Sequence, residues 1–307
     1  MVHFLYLLFF AQVAEIRLEE PIFLVEDMTV FEETVFVLDK KSHAVAKIGE
    51  NGEFVKAIQG KGAGPGEFNI PRSITASESH IFVTDFHNIH VFDQDLVFIK
   101  RFAVPNNPRD IVIWNDELYV STCEFPGGKE CLYVYSSDGV FQRKFHQHNS
   151  LDAELLMPFM DIDKQGLLYL QSAVGYGIER IDTGGVPQRL PNLSKPVRFK
   201  DFLPFGPFSK KHGMTFAAVK KWRTLWSEAD GIAIVENRYL LYSFKHLEED
   251  LLTTSYFLEC FDLKESKKVV KWRTAPGKLV SGGENAYFFI DDDEPKIMVF
   301  QINTLLP

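Results

Sequence analysis

Two arginines stand 37 residues apart in one shared phrase, Pro71-Arg72-Ser73-Ile74 and Pro108-Arg109-Asp110-Ile111. A guanidinium presents five donors in a rigid planar fork, which suits two-pronged capture of a carboxylate or phosphate. If the phrase repeats because the structure repeats, both arginines enter the same face of the fold. Lys278 occupies the corresponding point near the C-terminus and would complete a cationic mouth. The competing reading is that each arginine bridges to an acid of the neighbouring repeat, Asp110 among them. Glu26-Asp27, Phe159 and Asp230 fall at the same point of other repeats. That ring mixes signs and contains no histidine, which argues against a set of metal ligands.

Other residue sets with chemical potential are weaker. His146-x-His148 offers two metal donors without an evident third, so a solvated turn is the preferred reading. Asp291-Asp292-Asp293-Glu294 resembles a calcium loop only in charge, lacking its glycine and spaced ligands. Gly60-Lys61-Gly62-Ala63-Gly64-Pro65-Gly66-Glu67-Phe68 is glycine-rich, but a phosphate loop needs a helix after it, and here a strand pattern follows. Its glycines are expected to supply positive φ values for a sharp turn. There is no Gly-x-Ser-x-Gly elbow. The sequence therefore nominates no catalytic residue, no metal site and no cofactor.

The elements that must position the arginines repeat six times. Each unit reads as a short apolar strand, a turn, an apolar run ending in Asp, Ser or Thr, and two further strands. The run-ends are Asp39, Asp85, Thr122, Ser172, Ser243 and Asp291, separated by 46, 37, 50, 71 and 48 residues. An all-strand pattern at roughly this period predicts a β-propeller. The expectation is an all-β, six-bladed propeller of four-stranded antiparallel blades over residues 15–307, as one domain. The sixth unit has only three strands, so Glu15-Ile16-Arg17-Leu18 is expected to supply the fourth and close the ring. The three Asp run-ends share one repeat position and are expected to cap a blade turn. The longest step holds an insertion at about residues 192–230, rich in Phe, Pro and Lys. It reads either as a lid over one blade edge or as an aromatic binding lip, with Phe205 and Trp222 joining Phe159 as ligand contacts.

Gly-x-Gly-Pro-Gly-Glu-Phe (62–68), then Pro71 and an apolar strand, with Val83-Thr84-Asp85 ten residues on, resembles the NHL repeat. More broadly the chain is similar to exported six-bladed propellers common in Bacteroidetes. Many of those are lipoproteins, but no cysteine follows the apolar N-terminus here. The resemblance implies export, and with the paired arginines and no catalytic set the favoured reading is a non-enzymatic binding or interaction module that uses the axial mouth and the aromatic insertion to take a small anionic ligand, a glycan or a peptide. It leaves two other readings open, a metal-dependent lactonase- or lyase-like enzyme and a protein–protein scaffold.

The net charge is −9 and the lysine pairs are scattered over several units, which disfavours nucleic acid as a partner. Residues 1–14 are almost wholly apolar but too short for a membrane-spanning helix. They read either as an export signal cut near Ala14, lacking the usual positive start, or as a strand of the mature fold. Without export, a cytoplasmic location follows. Cys123 and Cys131 flank Pro126-Gly127-Gly128, which reads as a hairpin tip. A cross-strand disulfide and two free thiols are both consistent with it, the first only in an oxidising compartment.

Overall fold

The computed structural model describes residues 10–18, 22–49, 52–105, 107–124, 129–149, 159–171, 175–182, 184–197, 199–250, 253–291 and 294–302. The chain opens with β1 (Phe10–Arg17) and then builds four-stranded antiparallel sheets in order. Blade one is β2 (Val25–Phe31), β3 (Thr34–Asp39), β4 (Ala44–Ile48) and β5 (Phe54–Gln59). Blade two is β6 (Pro71–Ala76), β7 (Ile81–Asp85), β8 (Asn88–Phe92) and β9 (Phe98–Ala103). Blade three is β10 (Asn107–Trp114), β11 (Glu117–Glu124), β12 (Lys129–Ser136) and β13 (Phe141–Asn149). Blade four is β14 (Phe159–Ile162), β15 (Leu168–Gln171), β16 (Ile178–Ile181) and β17 (Pro187–Arg189). Helices α1 (Phe205–His212) and α2 (Phe216–Arg223) precede blade five, which is β18 (Glu228–Val235), β19 (Tyr239–Leu247), β20 (Thr254–Asp262) and β21 (Lys267–Thr274). Blade six is β22 (Lys278–Ser281), β23 (Ala286–Ile290) and β24 (Lys296–Ile302), with β1 as its outer strand. The molecule is a six-bladed β-propeller closed by its own N-terminal strand.

The second strand of a blade is apolar on both faces because each face meets a different neighbour. In β3, Phe36 and Leu38 pack toward blade two, among Phe68, Ile81 and Phe92. Val35 and Val37 point the other way, toward Val280, Phe289 and Ile297 of blade six. Outer strands such as β9 alternate half-buried and exposed residues, as a surface strand should. The run-end caps form as expected in the first two blades. The Asp39 carboxylate accepts from the Phe23 and Leu24 amides and, at 2.6 Å, from the Ser42 amide. The Asp85 carboxylate accepts from Asn69 at 3.0 Å and Ile70 at 2.5 Å. Each cap fastens the loop entering the inner strand to the end of the second strand. Ser172 lies outside the described residues.

Several details differ from the sequence expectation. The closing strand begins at Phe10 rather than Glu15, pairing Phe10 with Ile302 and Arg17 with Lys296. Its first five residues thus come from the apolar run, whose residues 1–9 lie outside the described residues. In the glycine-rich connection only Gly66 has a positive φ, of 76°. Gly62 and Gly64 instead leave room for a side chain. The Glu67 carboxylate folds back to accept from the Gly64 amide at 2.8 Å, and a Cβ on Gly62 would lie 2.2 Å from its Oε2. The insertion is helical: Thr215 caps α2 by accepting from the Ala218 amide, and Ala217, Ala218, Lys220 and Lys221 favour the helix that follows. In blade three the backbone register pairs Cys123 with Glu130 and Cys131 with Thr122. The expected directly opposed pair is thus out of step by one backbone rung, and the side chains of both cysteines lie outside the described residues. The hairpin tip, residues 125–128, and the side chains of His146 and His148 lie outside the described residues, as do Asp292 and Asp293.

Candidate functional site

Bulges in the inner strands build the axial mouth. The register skips Glu26 between Val25 and Asp27, Arg109 between Pro108 and Asp110, and Asp230 between Ala229 and Gly231. In β6 the break falls over Arg72 and Ser73. A bulge inserts an extra residue and re-aims its side chain. β14 carries no such break in its pairing with β15. The result is a central cavity of about 460 Å³, lined by Arg72, Arg109, Lys278 and Phe159 together with Glu26, Asp27, Asp110 and Asp161. Four of the six sequence-nominated ligand contacts therefore meet at one place.

The other two do not. Trp222 is only 3% exposed and belongs to a small separate core with Phe208, Ala218 and Trp226. Its indole Nε1 donates to the Leu203 carbonyl at 2.5 Å. It is a packing residue of the excursion, which corrects the aromatic-lip reading for this position. The side chain of Phe205 lies outside the described residues. Replacing Trp222 with alanine is expected to cost about 3–5 kcal/mol of local stability. Limited proteolysis should then cut within residues 192–226, while the axial cavity keeps its properties.

The sequence did not point to the cavity's fifth-blade wall. Arg223 pairs with Glu228, and Lys245 lies 3.2 Å from Asp230 and 3.7 Å from Glu228. Burial opposes the charge on Lys245, but Asp230 and Glu228 outweigh it and hold its pKa above the ordinary lysine value. In the neighbouring blades six and one, the Lys278 ammonium donates to the Glu26 carbonyl, and Lys40 pairs with Glu26 at 3.1 Å.

Below the cations lies a tier of acids. Asp27, Ser73 and Asp110 occupy one repeat position in three successive blades. The Ser73 Oγ is 2.6 Å from Asp27 Oδ2 and 2.7 Å from Asp110 Oδ1. A hydroxyl has one hydrogen and can donate to only one of them. If both short contacts are hydrogen bonds, the other carboxyl carries a proton and donates to Oγ, and the trio holds one shared proton. The remaining acceptor sites are used. Asp27 accepts from the Met28 and Ile74 amides, and Asp110 accepts from Ile111 and, at 2.6 Å, from Met160 of the next blade. Asp110, the acid expected to bridge to an arginine, thus directs its oxygens to Ser73 and two amides. Asp161 likewise accepts from Ile162 and, across to blade five, from Ile234 at 2.7 Å. Burial, then the neighbouring Asp110, raises the Asp27 pKa to about 7; burial raises Asp110 to about 6 and Asp161 to about 7. These carboxyls cross-link adjacent blades and present a proton-bearing floor under a cationic rim. Among the described residues no three His, Cys, Asp or Glu side chains converge to hold a metal ion.

Residues 19–154, spanning the first three blades, match the family DUF5128, described as a 6-bladed beta-propeller. No curated protein sequence matches the chain. Among solved structures, similarity extends to a Bacteroides fragilis protein of inferred exported location, 12% identical, covering 96% of each chain with a TM-score of 0.67. A member of the DUF4221 family from Bacteroides vulgatus is also 12% identical, covering 96% of this chain and 99% of that one, TM-score 0.66. Virginiamycin B lyase from Staphylococcus aureus is 13% identical over 96% of this chain and 100% of its own, TM-score 0.56. At such identities the shared property is the fold.

Proposed function

We propose that this propeller is an exported binding module that takes a small anionic ligand into its axial cavity. The observation carrying this reading is the convergence of Arg72, Arg109 and Lys278, from blades two, three and six, on one cavity with Phe159 beside them. A carboxylate or phosphate entering there would share two guanidiniums that already have partners and an ammonium that donates to the Glu26 carbonyl, while Phe159 offers an apolar face to the rest of the ligand. Export is supported by the inferred location of the Bacteroides fragilis structural relative. No helix among the described residues is long and apolar enough to cross a membrane.

An enzymatic reading draws on the lyase among the structural relatives and on the raised acids of the cavity floor, since perturbed carboxyls gather at active sites. A metal-dependent route finds less support. Asp27, Asp110 and Asp161 already accept from backbone amides, Glu26 and Glu228 are held in ion pairs, and no histidine is among the lining residues. Elemental analysis of the purified protein separates the two readings.

The binding reading is tested by thermal shift against a panel of small carboxylates and phosphates. A ligand at 100 times its Kd should stabilise the fold by roughly 2.7 kcal/mol. The double variant R72A/R109A should bind it on the order of 10- to 100-fold more weakly, at about 1.5–3 kcal/mol per charge-assisted contact before compensation. An undiminished shift in that variant would show that the cavity cations do not hold the ligand.

A further inference from the structure

We propose that the helical excursion between blades four and five docks on an anionic lipid surface. Residues 192–226 carry eight Lys and Arg against one Asp, a net charge of +7, in a chain whose net charge is −9. The remainder of the protein therefore carries −16. A charge separation of this size between one excursion and the body is not needed to close a propeller. It orients the molecule in the field of a negative surface.

The apex of the excursion is the turn between α1 and α2, with Gly213 at φ 78°. Here Met214 is 84% exposed and Phe216 77% exposed. Four aromatics of the excursion have found cover. Phe202, Phe208, Trp222 and Trp226 pack on one another, with ring centroids of Phe202 and Trp226 4.9 Å apart. This small core anchors the two helices and leaves Met214 and Phe216 as the exposed apolar side chains of the turn, while Val197, Leu203 and Leu225 are exposed elsewhere in the excursion. Lys210, Lys211 and Lys221 flank it along the chain, exposed and without an ion pair among the described residues, and the Lys220 ammonium lies 5.1 Å from the centre of the Phe216 ring.

An apolar tip ringed by unpaired lysines matches the interface of a bilayer, where an aromatic and a methionine enter the headgroup boundary and lysines meet lipid phosphates. An acidic protein would satisfy the charge but not the tip. Two apolar side chains make too small a core for a protein interface, which needs about 800 Å² from each partner. Of the excursion's cations only Arg223 also lines the axial cavity, and the tip residues Lys210, Lys211, Met214 and Phe216 do not, so variants at the tip test this inference apart from the cavity reading.

The test is co-sedimentation of the whole protein with phosphatidylcholine vesicles, alone or with roughly one-third phosphatidylglycerol. Binding is expected to the mixed vesicles only, and to weaken as sodium chloride rises from about 50 mM to about 500 mM. K210Q/K211Q should bind about 25-fold more weakly, at about five-fold per lysine near an anionic surface. M214S/F216S should lose binding while keeping the wild-type melting curve, since both side chains are exposed. Equal binding to both vesicle types, or unchanged binding by both variants, would overturn the proposal. So would absence of vesicle binding with retention on an immobilised acidic polypeptide, which would assign the surface to a protein partner.

Discussion

Removing residues 10–17 is expected to leave a propeller that aggregates or melts more than about 10 °C below the full-length chain. β1 pairs with β24 from Phe10 to Arg17, and Ile16 is buried between blades six and one among Val35, Val37, Ile297 and Val299. Burying one isoleucine contributes about 1.5–3 kcal/mol, and each ladder hydrogen bond about 0.5–1.5 kcal/mol. Together they reach on the order of 5 kcal/mol, comparable with the whole stability of an ordinary domain. The loss is compounded by what it uncovers, since β24 becomes an open edge carrying Ile297, Val299 and Phe300. A shorter truncation removing only residues 10–14 keeps Ile16 and should be milder, so the two melting curves locate the step at Ile16. A truncation at 17 that melts with the full chain would mean that the ring closes without its N-terminal strand.

How much could be read in advance followed from phase. Arg72 and Arg109 were legible because the phrase around them repeats, and a repeat fixes which residue enters the axis. Lys278 and Phe159 followed by the same count. Arg223 and Lys245 escaped it because an insertion precedes blade five and breaks the count where Arg223 sits. Trp222 was misjudged because composition reports that aromatics are present, not whether they cover one another. Four of them form a core small enough to be invisible in the sequence. The helices were missed for a related reason: the capping Thr215 and the Ala-Ala-Val-Lys-Lys run lie inside a segment whose Pro and Gly content reads as loop. The shared proton was beyond sequence altogether. Ser73 lies 46 residues from Asp27 and 37 from Asp110. Only the closed ring brings them within one hydroxyl of each other.

That proton gives the second large expectation: the folded protein should lose on the order of 1–2 kcal/mol of stability between pH 6.5 and about pH 8. Asp27 and Asp161 titrate near 7 and Asp110 near 6 in the fold, against 3.8 for a free aspartate. Acids with raised folded values bind protons more tightly in the fold than in the unfolded chain. Their contribution is complete below about pH 4 and drains away as pH rises through 6 to 7. The buried histidines act in the opposite direction but in a different window. Burial lowers the pKa of His90 and, helped by Lys200, of His246, so their contribution is present above 6.5 and lost below it. Above pH 6.5 the slope therefore belongs to the acids. Urea midpoints at the two pH values measure it. D110N removes the like charge pressing on Asp27 and should flatten the slope, even though its amide nitrogen cannot accept from Met160 and lowers stability by about 1–3 kcal/mol at every pH. The slope rather than the absolute value is diagnostic, because a purely structural hydrogen bond would lower both midpoints equally. Wild-type stability that holds level or climbs toward pH 8 would show that the three acids are ionised at neutral pH and that Ser73 bridges no proton.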